Sequence, residues 1–236
     1  SEIKTLLEES NISFSTFKDH VIFEQDEVVK SDGTPYRVYT PYSRTWLAAF
    51  ADDRDLKDYS VASFEKLVKL TAHNNPSLSD IGFTTSKIAV PQYNTSKQIN
   101  DQYEELRNTP SVAGTSKIGV HLRFGSVSIR KSVAKALQST NQTFLKELIW
   151  REFFMQILWH FPHTENQSFK PQYDRIEWRN SPEDFQRWCD GETGYPFVDA
   201  GMKELNQTGF MHNRVRMLVG SFLCKHLLGL GFGVNV

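Results

Sequence analysis

The sequence predicts an α+β protein: the end of an α/β unit over residues 1–45, a polar connector over 46–96 and an all-helical body over 97–236. Three observations lead there. Ile3, Leu6 and Leu7 form a helical stripe ahead of Val21, Ile22 and Phe23, a short apolar run of strand character. Residues 51–100 are rich in Ser, Asn and Lys and carry little periodicity beyond a short helix near Phe64 to Leu70. From residue 97 onward, helical periods follow one another at 97–107, 127–138, 142–160, 181–189, 196–207 and 211–228.

Each element has a local reason. Between Val28 and Trp46, Asp32-Gly33 signals a turn, and Pro35 and Pro41 argue against a helix, so a hairpin leading out of the first unit is expected. Ser128 caps the run to Ala136 and Ser181-Pro182 supplies an N-cap with proline at the first helical position. Tyr195-Pro196 opens the next helix in the same way. No internal repeat or low-complexity tract interrupts the pattern.

Composition narrows the function classes. The chain is 39% hydrophobic and 13% aromatic, which suits a packed core and, alternatively, the binding of flat ligands. The formal net charge is -1, so any contact with nucleic acid must come from a local basic patch. Cys189 and Cys224 are too few for a disulfide framework, no metal-ligand spacing occurs, and a reducing cytoplasm fits. No apolar run approaches the ~20 residues needed to cross a bilayer, and no membrane partner is expected. The chain opens as though inside a domain.

Three clusters carry candidate chemistry. Gly114-Thr115-Ser116-Lys117 combines a small residue, two hydroxyls and a cation ahead of a helix near Ile118 to Leu122, which suits a phosphate but equally an ordinary N-cap. In the helix FLKELIWREFFMQILWH, Glu147, Trp150, Arg151 and Phe154 share a face; the bland alternative is a Glu147 to Arg151 ion pair with Trp150 as core. In TGFMHNRVRM, Asn213, Arg216 and Met217 line one face of an otherwise apolar helix, so burying them calls for a polar ligand or internal partner. His212 reads best as a surface or hydrogen-bonded core histidine.

The strings GTSKIGVHLRFGSVS, ELIWREFF, FQRWCDGETGYPFVDAGMKEL and TGFMHNRVRM, in this order and spacing, resemble the photolyase and cryptochrome family, as does YRVYTPYSRTWL at the exit of the first unit. The resemblance runs from about residue 15 to 228. It implies the C-terminal half of a Rossmann-like antenna domain joined to a helical domain that binds FAD, with a second chromophore of folate or deazaflavin type in the full-length protein. It implies that Tyr103 and the loop Thr115, Ser116, Lys117, Ile118 and Gly119 hold the flavin phosphates and ribityl chain. Phe144, Asn213 and Arg216 then pack against or hydrogen-bond the flavin and adenine.

By the same resemblance Glu147, Trp150, Asn213 and Met217 line the pocket for a flipped-out pyrimidine dimer. Arg107, Arg151 and Arg214 lie near the DNA backbone, and Trp178 belongs to an electron-transfer chain. Met217 and the Met-His-Asn-Arg string are similar to class I members that repair cyclobutane dimers, acting as monomers on DNA; a non-repairing photoreceptor is the alternative. Phe210 stands where tryptophan is common. The chain also departs from the family after KHLL, ending in GLGFGVNV without the acidic pair, the asparagine and two tryptophans expected around the flavin. The polypeptide as written is therefore expected to bind FAD poorly and to be inactive.

Overall fold

A computed structural model describes residues 2–57, 65 and 75–229. Among them are ten α-helices: α1 (Glu2–Glu9), α2 (Tyr39–Ala49), α3 (Asp52–Asp55), α4 (Lys97–Leu106), α5 (Gly119–Arg123), α6 (Ile129–Leu137), α7 (Thr143–His160), α8 (Pro182–Asp190), α9 (Pro196–Thr208) and α10 (Asn213–Lys225). The helix expected near Phe64 to Leu70 lies outside the described residues apart from Glu65. The chain forms two compact units that interleave in sequence, one from Ser1–Leu56 with His121–Thr164 and the other from Lys57–Val120 with Glu165–Val236.

In the first unit α7 packs against α2 and α6. The core takes Tyr42 and Trp46 from α2, Val133 and Ala136 from α6, and Leu145, Ile149 and Phe153 from α7. Trp46 meets Phe23 edge-on at 5.4 Å, so the segment before α2 is part of the same core.

Residues 21–23 are not the expected strand, and no strand occurs among the described residues, so the α/β half is not confirmed as a sheet. The backbone groups that a neighbouring strand would satisfy are taken by helix side chains. The Glu152 carboxylate accepts from Ile22 N–H at 2.6 Å and Phe23 N–H at 3.1 Å, and Gln156 Nε2 donates to the Phe23 carbonyl at 3.1 Å. Arg151 donates to the His20 carbonyl at 2.7 Å, and Arg130 to those of Lys18 and Asp19. An extended chain gripped this way meets its hydrogen-bonding requirement without a ladder.

The hairpin expected over residues 28–46 is likewise reduced to its turn. Lys30 N–H donates to the Thr34 carbonyl, Asp32 accepts from Thr34 N–H, and Gly33 takes φ +77°. The chain then enters α2 despite Pro41. This proline occupies the first helical turn, where the backbone N–H has no intrahelical acceptor to lose.

In the second unit α9 packs on α8 and α10. Met202 and Val198 meet Val215, Val219, Phe222 and Leu223, and Trp188 closes the cluster with its Nε1–H donating to the Val219 carbonyl at 3.1 Å. α9 and α10 approach closely at Gly201, where a Cβ would lie 2.5 Å from Val215 Cγ1. The expected caps are present: Ser128 accepts from Lys131 N–H and Ser181 from Asp184 N–H, with Pro182 at N1. Gly191 ends α8 in the left-handed region at φ +69°. Asp199, in the first turn of α9, accepts from Thr193 and Gly194 N–H, which shapes the DGETGYP turn. No helix among the described residues is long and apolar enough to cross a membrane.

Candidate functional site

The residues singled out in the sequence fall into two groups, one on each unit. On the first unit they lie along α7. Phe144 is buried in the core, whereas Trp150 is half-buried and stacked face to face on Tyr39 of α2, with ring centroids 3.7 Å apart and planes 6° from parallel. Phe153 meets both rings edge-on at 5.6 and 5.9 Å, and Phe154 continues the row at 5.5 Å. Glu147 lies close enough to Tyr39 that its charge, after burial, helps to push that phenol up to about 12.

Glu147 and Arg151 lie on the same helix, one turn apart. Half-buried Arg151 directs its guanidinium to the carbonyls of His20 at 2.7 Å and Leu122 at 3.3 Å. Sequence reasoning missed its neighbour Glu152, which is 2% exposed. Besides the two backbone N–H groups it accepts from Trp46 Nε1–H at 2.7 Å and from Tyr42 Oη–H at 3.4 Å. Burial outweighs these donors and lifts its carboxyl to about 7. A glutamate in an apolar helix register was the available signal.

On the second unit Tyr103, Arg107, the 114–119 loop, Asn213, Arg214, Arg216 and Met217 are placed by α4, α10 and the segment between α4 and α5. The loop presses so tightly on α4 that a Cβ at Gly114 would lie within 2.4 Å of Leu106 Cβ, which explains the glycine sterically. Ser116 and Ile118 are buried, while exposed Lys117 adopts φ +53° and holds its ammonium 4.9 Å above the Phe210 ring. Hydroxyls, a cation and a tightly turned backbone suit a phosphate, so these residues fit the phosphate end of a dinucleotide.

Arg107 lies 5.5 Å over the Tyr103 ring. Arg214 Nε donates to Asn108 Oδ1 at 2.8 Å and Nη1 approaches Met217 Sδ at 3.4 Å, joining the end of α4 to the start of α10. Asn108 was missed because an isolated asparagine after a helix reads as a cap. Arg214 and Met217 also line an open cavity of about 610 Å³ with Tyr195, Phe197, Phe222 and His226.

The trio Asn213, Arg216 and Met217 is exposed, so the condition that burial would have imposed on it does not arise. The buried face of α10 is Val215, Val219, Phe222 and Leu223, so solvent meets the polar groups. Asn213 Nδ2 is 4.0 Å from Met217 Sδ, and Arg216 donates to the Met211 carbonyl at 3.0 Å. His212 is the buried N-cap of α10, accepting from Arg214 N–H at 3.2 Å, which is the bland reading of that residue. Its desolvated ring is held below the usual histidine range. Trp178 is half-buried in the irregular stretch before α8. Among the described residues no cluster could hold a metal ion.

The chain is similar to known proteins along most of its length. A family model described as DNA photolyase matches residues 1–60, and one described as the FAD binding domain of DNA photolyase matches residues 144–229. The deoxyribodipyrimidine photo-lyase of Alkalihalophilus pseudofirmus is 33% identical over 247 residues, covering 94% of this chain and 50% of the relative. That of Vibrio cholerae is 34% identical over 241 residues, covering 94% and 51%. The crystal structure of a class III photolyase from Agrobacterium tumefaciens superposes with a TM-score of 0.75 at 29% identity, covering 97% of this chain and 52% of that one. A Synechocystis cryptochrome shares the fold at 22% identity and a TM-score of 0.69, covering 95% and 52%.

The chain belongs to the photolyase and cryptochrome family. It spans about half the length of the curated relatives it matches.

Proposed function

We propose that this chain carries flavin- and DNA-contacting parts of a light-driven lyase that splits cyclobutane pyrimidine dimers. The observation that supports it most is the cluster at the start of α10, where Arg214, held by Asn108, shares an open cavity with Met217 and a wall of aromatic rings. Charge beside a flat, apolar lining is what an extruded base and its phosphate require.

In this reading Tyr103 and residues 115–119 hold FAD through its phosphates and ribityl chain, with Phe144, Asn213 and Arg216 on the flavin and adenine. Bound and reduced, FAD supplies the photoexcited electron that the reaction needs. Trp150 offers its ring to the dimer, and Glu147 hydrogen-bonds a carbonyl whose charge grows as the electron arrives. Arg107, Arg151 and Arg214 supply the local positive charge that a chain of net charge -1 needs to meet a phosphate backbone. Trp178 passes electrons toward the flavin. A second chromophore of folate or deazaflavin type, a monomeric state and a cytoplasmic setting complete the proposal.

The absorption spectrum of the purified protein, followed in the same cuvette by blue-light loss of thymine dimers from an irradiated oligonucleotide, tests it. A flavin band with dimer loss supports the reading. A flavin band without dimer loss points to a photoreceptor or to a crippled flavoprotein, and no band means that this chain keeps the family's sequence without its chemistry.

A further inference from the structure

We infer that Tyr39 is a positioning residue for Trp150, fixing the plane of the indole and covering one of its faces so that a base can stack from one side only. The inference rests on the reading of Trp150 as the ring that meets an extruded pyrimidine.

The geometry is unusually constrained for two rings 111 positions apart in sequence. The face-to-face stack at 3.7 Å and 6° leaves no room for a base on that side. Tyr39 is itself anchored at both ends: its backbone lies in the first turn of α2, and its Oη–H donates to the Lys146 carbonyl of α7 at 2.9 Å, one helical turn before Trp150. Phe153, 5% exposed, abuts both rings edge-on at 75° and 80°, which blocks rotation of either about its long axis. The phenol stays protonated up to about 12, so the donor to Lys146 persists across the working pH range. The tyrosine thus acts as a backstop: an entering base finds an indole already oriented and loses less freedom on stacking. Phe154, on the next turn of α7 and largely exposed, is the ring free to move when a base arrives.

The test compares Tyr39→Phe and Tyr39→Leu in the wild-type chain and in a Trp150→Leu background, measuring binding of an oligonucleotide with one thymine dimer against the same oligonucleotide undamaged. Tyr39→Leu should weaken binding to the lesion about fivefold or more, within the range of one lost base stack, and leave undamaged DNA unchanged. Tyr39→Phe should stay within about twofold, because the ring and not the hydroxyl covers the indole. In the Trp150→Leu background Tyr39→Leu should have no further effect. Equal losses in both backgrounds, or on both oligonucleotides, would overturn the inference.

Should the wild-type chain show no preference for the lesion, the proposed function falls, and the positioning of Trp150 is decided by fluorescence. The emission lost in Trp150→Phe isolates the Trp150 contribution, and its anisotropy should drop in Tyr39→Leu. An unchanged anisotropy would leave Tyr39 as packing alone.

Discussion

The two units differ in how far they satisfy their buried polar groups. In the first, the Glu152 carboxylate is sealed in the core with four donors around it. Its polar groups hold the fold together from inside. In the second, both polar atoms of the Asn100 side chain and Nε2 of His212 are buried without a hydrogen-bond partner among the described residues. Asn100 is 1% exposed and lies on α4, three residues before Tyr103. A polar atom left unpaired in a core costs stability that a satisfied one does not. Among the described residues the first unit thus leaves one buried side-chain atom, Gln156 Oε1, without a partner, and the second leaves three, two of them on one amide.

Glu152→Ala is the strongest way to break this comparison. It strips two backbone N–H groups and the Trp46 indole of their acceptor, and a loss of about 3 to 5 kcal/mol is expected from denaturant unfolding, with segment 18–25 losing hydrogen-exchange protection first.

The pH dependence comes next. Burial lifts the Glu152 carboxyl from 4.5 to about 7, so the folded state keeps a proton that the unfolded state releases. This contribution is fully present below about 4.5 and is lost as pH rises through about 7, a change of about 3 kcal/mol in all. Unfolding midpoints of wild type and Glu152→Gln between pH 4 and 8 should converge or cross in that direction. A difference that stays flat with pH would show that the carboxylate does not titrate in the window.

Two smaller effects sharpen the picture on the second unit. Gly201→Ala drives a methyl into Val215 and Val219, and Gly114→Ala drives one into Leu106; each should cost about 1 to 3 kcal/mol. The Gly114 variant should also lower retention of FAD if the loop holds its phosphates, whereas Gly201→Ala should change melting alone. The smallest shift is expected from Asn100→Leu, which removes an amide that has no partner to lose. Stability should change by less than about 1 kcal/mol, and a gain is compatible with the unpaired amide being costly. A loss of several kcal/mol would show that the amide is paired in solution and would erase the contrast between the units.

Much of the helical part was legible in the residues. The 3.6-residue periods from 97 onward mark α4 and α6 to α10 to within a few residues, because an amphipathic helix repeats its apolar face whatever it packs against. Ser128, Ser181 and Pro182 mark helix starts because capping is a local hydrogen bond. The apolar run Val21 to Phe23 was legible only as extended chain. Whether such a run joins a sheet depends on what satisfies its N–H and C=O groups, and here those partners are Glu152 and Gln156, some 130 residues away. Pro41 misled in the same region because a proline's effect depends on which helical position it occupies.

The candidate site divides along the same line. The four family-like strings by themselves determined the family and the residue types proposed for the site, since these reside in local sequence. Only the tertiary structure decided that Tyr39 covers Trp150, that Asn108 holds Arg214, that Arg151 ties down the His20 carbonyl and that Glu152 is the buried acid. Each of these pairings joins residues more than 100 positions apart or depends on burial, and neither distance in space nor exclusion from water is written in the order of residues along a chain.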